Sequence, residues 1–379
     1  MKTPMSPLLV LLAACGSTPR PDAGTPYVPT QSRQLGLNDV TFLLPLESLD
    51  AGSPFPAASA LLPLASFTRL TTAEPVVTTS LDRLRLVAFR FDLCDRATPT
   101  PCADDADASL RLVLQPVFAT PPLVEDIALH AVFPIPRVEV PAVVDELRAL
   151  AAQQDVPRSA ALTVNAAFLA DRDYRAKLGA FVGRYARAEH LQRLTLFGQE
   201  TQHAALVWIF RGEELGQGSL QPITIFGVDA GSQEVLLFGG DSYQVTPLAD
   251  APPGFSRAVM EPDFRNSSPG AQRESVQGLL AVDNPTLHTS QTAQCVSCHL
   301  STTLLAPRAT DAGLDVTALP ERYTAAPFDL SPSGPQTARS RTLRALGYFG
   351  STALVSQRVI NETAHVLGEV EARFPPVQP

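Results

Sequence analysis

Cys295-Val296-Ser297-Cys298-His299 limits what this chain can fold into more than any other stretch of it. If these residues open a helix, Cys295 and Cys298 stand at i and i+3, their thiols share one face, and the imidazole of His299 follows directly. Two sulfur atoms so placed can bond the two vinyl groups of a haem while His299 takes the iron as proximal ligand. Two other uses of the same residues stay open. Cys295 and Cys298 could close a local disulfide, although no thioredoxin-like βαβ pattern surrounds them. They could also clip a zinc ion together with His288 and His299, although adjacent Cys298 and His299 fit one tetrahedral site poorly and no second C-x-x-C exists.

The N-terminus has one basic residue, Lys2, then the apolar run Leu8-Leu9-Val10-Leu11-Leu12, then small residues before Cys15. A run this short is the core of a signal peptide and not a membrane span. Leu12-Ala13-Ala14-Cys15 resembles the lipobox of bacterial lipoproteins. The resemblance implies that residues 1–14 are removed and that Cys15 carries lipid. Gly16 stands where an inner-membrane retention signal would place Asp, so the resemblance favours the outer membrane, at its periplasmic or cell-surface face. Residues 15–34 are rich in Ser, Thr, Pro, Gly and Gln and read as a tether able to reach on the order of 60 Å from the bilayer.

The haem motif and the export signal together resemble bacterial c-type cytochromes, a likeness confined to the attachment residues and the compartment. It implies one covalent haem c, held by Cys295 and Cys298 with His299 on the iron. The remaining cysteines, Cys94 and Cys102, are left as a disulfide pair in an oxidising compartment, stapling the connection between two strands. Net charge is −9, and −10 once Lys2 leaves, since 38 acidic residues then face 28 basic ones. Nucleic acid is therefore excluded as a partner. Lys2 and Lys177 are the only lysines, so no Lys-rich docking face exists.

The folded part reads as α+β. Strand-like runs at 40–44, 87–93, 110–114, 204–210, 223–228 and 234–238 enclose helices at 141–153 and 171–187. In the run at 87–93, Phe89, Phe91 and Leu93 alternate with Arg90 and Asp92. In the second helix, Tyr174, Leu178, Phe181 and Tyr185 make an apolar stripe under a solvated basic face of Arg172, Arg175, Lys177, Arg184 and Arg187. Trp208, the only Trp, reads as core, and Asp229-Ala230-Gly231-Ser232 as a turn joining the last two strands. Asp104, Asp105 and Asp107 read as a solvated acidic loop. Two domains are expected: an α+β domain over 35–249 and a haem-binding region over 250–379, the latter loop-rich, partly helical and cytochrome c-like, with a final helix at 354–373.

The sixth iron ligand separates an electron carrier from a haem that binds small molecules. No Met follows Met260, so the axial Met common among small c-type cytochromes has no obvious counterpart. His288 ranks first, because the chain from it to Cys295 could pass a haem edge at roughly 20 Å. His365 ranks second, since helical periodicity sets it beside Arg358 and Asn361 on the wet side of the last helix. His130, His190 and His203 read as surface or packed histidines. The expected function is an outer-membrane-anchored c-type haem lipoprotein that passes single electrons to a redox protein partner, an electron carrier in preference to an enzyme. The alternatives are a surface binding or structural lipoprotein whose C-x-x-C-H is a disulfide or metal clip, and a peroxidase-type haem enzyme. The latter is disfavoured because a single motif offers no second haem. G-x-S-x-G, H-E-x-x-H and P-loop signatures are absent.

Overall fold

The computed structural model describes residues 33–49, 53–74, 76–93, 108–118, 122–200, 206–332 and 343–377. Among them, ten strands make one antiparallel sheet. They are β1 (Thr41–Leu43), β2 (Leu84–Asp92), β3 (Ala108–Phe118), β4 (Leu123–Val124), β5 (Ile127–Ile135), β6 (Arg193–Gln199), β7 (Val207–Gly216), β8 (Ser219–Pro222), β9 (Ser232–Gly239) and β10 (Ser242–Thr246). The order across the sheet is β1-β2-β3-β5-β6-β7-β9-β10, with β4 paired to β3 and β8 to β7. A separate hairpin joins β11 (Leu346–Phe349) to β12 (Thr352–Val355).

Because side chains alternate along a strand, the sheet has two chemically distinct faces. One is apolar. Phe89 of β2 stacks on Phe42 of β1 at 4.5 Å between ring centroids, and Phe55 and Phe181 close around it. Helices α1 (Ala58–Leu61), α2 (Leu64–Thr72), α3 (Val140–Ala151), α4 (Ala167–Ala170) and α5 (Arg172–Tyr185) belong to this side. The α5 stripe of Tyr174, Leu178, Phe181 and Tyr185 is buried as expected, and Asp171 caps the helix by accepting from the backbone N–H of Asp173 and Tyr174.

The other face carries Arg90, Asp92, Arg111, His130, Thr195, Phe197 and Phe210 at paired positions. It is covered by the C-terminal part of the chain: α6 (Phe255–Val259), α7 (Glu261–Arg265), α8 (Pro269–Asp283), α9 (Cys295–Asp311), the β11–β12 hairpin and α10 (Gln357–Arg373). Thr41 Oγ1 meets Thr363 Oγ1 of α10 at 2.8 Å. Gln115 of β3 bonds both backbone groups of Tyr348, at 2.9 and 2.7 Å, in place of strand pairing. The result is helices, sheet and helices in three layers, a mixed α and β fold dominated by its antiparallel sheet.

Side chains on both sides of residue 249 pack into one core that runs from Leu35 to Val370. The strand expected at 223–228 is instead a turn closed by an isolated bridge between Ile225 and Ala230, with Asp229 at φ 50. Strands β4, β5, β6, β8, β10, β11 and β12 lie outside the expected runs. Helices α6 to α9 fill most of 255–311, so the loop-rich character expected after 249 is found among the described residues mainly at 284–294 and 312–332. The last helix starts at Gln357, because Thr352–Val355 belongs to β12. Cys15, Cys94, Cys102, His203 and the acidic run at 104–107 lie outside the described residues. The strands flanking Cys94 and Cys102, β2 and β3, do pair antiparallel. No helix among the described residues is long and apolar enough to cross a membrane.

Candidate functional site

Helix α9 begins at Cys295, so Cys295-Val296-Ser297-Cys298-His299 forms the first turn of a helix and both cysteines share one face. Its start is fixed by two buried glutamines. Gln294 donates through Nε2 to the carbonyls of Ala249 and Ala251, at 2.7 and 3.2 Å. Its Oε1 accepts from Gln233 Nε2 of β9 at 2.8 Å, while Gln233 Oε1 takes the N–H of Val296 at 3.2 Å. The helix end is thus tied to the sheet and cannot roll its two cysteines away from it.

Cys295, Cys298 and His299 line a cavity of about 370 Å³, in the size range of cofactor sites. Its walls are Val113, Val132, Phe197, Phe210, Leu346 and Val359. Both cysteines are free thiols whose remaining surface faces this cavity. Burial pushes the Cys295 thiol up to about 12, with Cys298 adding to the rise. Burial likewise raises Cys298, to about 11. Both are neutral thiols at ordinary pH.

His299 Nδ1 lies 2.6 Å from the carbonyl oxygen of Leu343. A carbonyl only accepts, so Nδ1 carries the proton. Burial drives the ring's pKa down to about 4, against the pull of that carbonyl and with Arg344 adding to the fall. A neutral ring protonated at Nδ1 leaves Nε2 as a bare lone pair, the state a metal takes. The ring packs beside both Phe197, at 5.1 Å and 14° from parallel, and Phe210, at 4.8 Å, in a three-ring cluster whose two phenyl rings are themselves 5.1 Å apart.

Behind these aromatics lies a buried pair. Arg344 is held by Asp126 at 2.9 Å with both side chains essentially inaccessible, and its guanidinium stands 4.4 Å over the Phe197 ring. Trp208 Nε1 donates to the other Asp126 oxygen at 2.7 Å.

Charge at the cavity is opposite to that of the molecule. In a chain of net charge −9, Arg90, Arg111, Arg193, Arg211 and Arg358 line it against Glu214 and Glu362. Glu362 accepts from Arg90 and Arg358, each at 2.6 Å. Burial alone would raise its pKa, but Arg358, Arg90 and Arg111 outweigh that and hold the carboxylate ionised. Asp92 ties Arg90 and Arg111 together at 2.8 and 2.5 Å.

The two histidines expected opposite the motif are placed elsewhere. His288 and His365 line an adjacent, smaller cavity with Arg90, Arg358 and Glu362. His288 Nδ1 is 3.2 Å from the Thr292 carbonyl, and His365 faces Glu369 at 3.8 Å and the edge of Tyr323. The wet side expected for α10 is also not wet. Arg358 and Asn361 are each 3 % exposed, because Asn361 donates to the Asp283 carbonyl and Arg358 to that of Val282 at the end of α8.

His130 is instead the histidine beside His299, their ring centroids 6.4 Å apart and their planes 11° from parallel. It sits mid-strand in Ile127-Ala128-Leu129-His130-Ala131-Val132-Phe133, and a lone imidazole in such an apolar run is the signal that could have marked it. Among the described residues no group of three or more His, Cys, Asp or Glu is arranged to hold a metal ion by itself. No protein-family model, curated protein or solved structure matches this chain, so the function has to be argued from the site's own chemistry.

Proposed function

We propose that this protein is an outer-membrane lipoprotein that carries one covalent haem in the cavity between its sheet and α9 and passes single electrons. The observation that carries the proposal is the C-x-x-C-H turn itself, with two free thiols and a lone-pair imidazole turned into one cavity of cofactor size. Bound there, a haem supplies a one-electron couple.

The residues divide the work of holding it. Cys295 and Cys298 anchor the macrocycle edge through two thioethers. His299 presents Nε2, its tautomer fixed by the Leu343 carbonyl. Phe197 and Phe210 keep water from the imidazole and hold its plane. Arg111 and Arg193, which line the cavity paired with Asp92 and Glu214, would offer guanidinium donors to the carboxylates a haem carries, inside a protein that is acidic as a whole. Residues 250–379 would be cytochrome c-like in their attachment chemistry, with the sheet of 35–249 forming the opposite wall. The lipid on Cys15, the tether to residue 34 and a Cys94–Cys102 disulfide belong to the same proposal, which places the site outside the cytoplasm near a membrane, where a redox protein partner would collect or deliver the electron.

The test is pyridine haemochrome analysis after denaturation of protein produced with a c-type haem assembly system. One haem per chain that survives denaturation is expected, and Cys295→Ala or Cys298→Ala should lose the covalent link. A well-folded, colourless wild type would overturn the proposal in favour of a binding or structural lipoprotein, with metal content as the next measurement.

A further inference from the structure

We propose that His130 is the second axial ligand, so that the iron is held between an imidazole from the sheet and one from α9. This rests on the haem reading above.

Metal–nitrogen bonds of about 2 Å, with each ring centre about 1 Å beyond, put two imidazoles bound across one metal roughly 6 Å apart by centroid. His130 and His299 are 6.4 Å apart and nearly parallel. The two side chains come from different layers, one from strand β5 in the middle of the sheet and one from the first turn of α9.

The second observation is independent of that distance. His130 Nε2 is buried and has no hydrogen-bond partner among the described residues. Leaving a buried polar atom unmade costs on the order of 1–3 kcal/mol and asks for a reason. An iron supplies one. The groups facing His130 are His299, Arg344, Arg111 and Arg90. His288 and His365 have no such geometry, since they open onto the neighbouring cavity.

Two protein ligands leave no open coordination position. The site would then suit electron transfer over peroxide or gas chemistry at the iron, with a potential below that of a His/Met centre.

The experiment uses the haem-loaded full-length protein. Ferric electron paramagnetic resonance and near-infrared magnetic circular dichroism of the wild type should give a low-spin bis-imidazole signature, and the reduced protein should bind carbon monoxide slowly or not at all. His130→Ala should keep its covalent haem by haemochrome analysis, lose the low-spin signal, bind carbon monoxide readily and regain the low-spin signal on addition of free imidazole. His130→Met should raise the reduction potential and add a sulfur-to-iron band. His288→Ala and His365→Ala should leave the spectrum as it is. A coloured wild type without the bis-imidazole signature overturns the assignment of His130 and leaves the haem proposal standing, as does a signature lost in either of those last two variants and not in His130→Ala. A colourless wild type overturns both. Because the wild-type signature is itself diagnostic, a His130 variant that fails to fold does not protect the assignment.

Discussion

Asp126 shows how single residues hold the site. One oxygen takes the Trp208 indole and the other the Arg344 guanidinium, and the pair sits out of water. Asp126→Ala would leave a buried cation without its carboxylate, and a loss of about 3–5 kcal/mol in urea unfolding is expected. Trp208→Phe, which removes only the indole donor, should cost less, on the order of 1–3 kcal/mol. A second residue gives a pH test away from the cavity. Burial raises the Asp39 carboxyl from 3.8 to about 6, although Gly36 N–H and Arg33 pull it down. Between those values the folded chain binds the proton more than the unfolded chain does, so Asp39 stabilises at low pH and that contribution is lost as pH rises toward about 6. Asp39→Asn keeps an oxygen for the Gly36 N–H, 2.7 Å away. It should remove a fall of on the order of 2–3 kcal/mol between pH 4 and pH 7, measured by denaturation at both. At this scale the sequence was legible where chemistry is local. That Cys295, Cys298 and His299 share one helical turn follows from spacing alone. His130 does not, because nothing near it in sequence says which layer will cover it.

Among the elements, α9 depends most on its first residues. Gln294→Ala removes both acceptor and donor ties to β9 and to residues 249 and 251, and should lower the melting temperature and, if the proposed haem is bound, the haem content per chain. Melting scans of apo and loaded protein would separate the two effects. Helix α8 has a matching constraint in Gly278, where an added Cβ would lie 2.6 Å from the carbonyl oxygen of Pro253. Gly278→Ala should cost about 1–3 kcal/mol, and an unchanged unfolding midpoint would show that the helix can move. Helices α3 and α5 were legible because each buries one clean stripe. The polar side of α10 was misleading for the opposite reason. Periodicity marks Arg358 and Asn361 as polar, and polar residues are usually wet, but here the end of α8 supplies carbonyl acceptors and the neighbouring Glu362 a countercharge.

For the molecule as a whole, the sheet is shared property. Its apolar face packs α2 and α5, and its polar face receives α9, α10 and the β11–β12 hairpin, within one core. Trp208 fluorescence, which reports the sheet, and far-ultraviolet circular dichroism, which reports the helices, should therefore trace one coincident urea transition. Two separated transitions would mean that the chain divides into two units near residue 249. The α+β class could be read from the order of runs, while the full sheet could not, because strands such as β6 are short and carry Arg193, Thr195 and Gln199 among their apolar residues.

The polar residues of the central strands carry a further consequence, for fidelity of folding. A strand that pairs one residue out of step turns every side chain to the opposite face. In β2 and β3 such a slip would drive Arg90, Asp92 and Arg111 into the layer of Phe42, Phe55 and Phe181, while exposing Phe89 and Phe91 to the charged side. Each misplaced ion would cost several kcal/mol. The charges that border the cavity thus also act as a proofreading pattern, admitting a single alignment of the central strands.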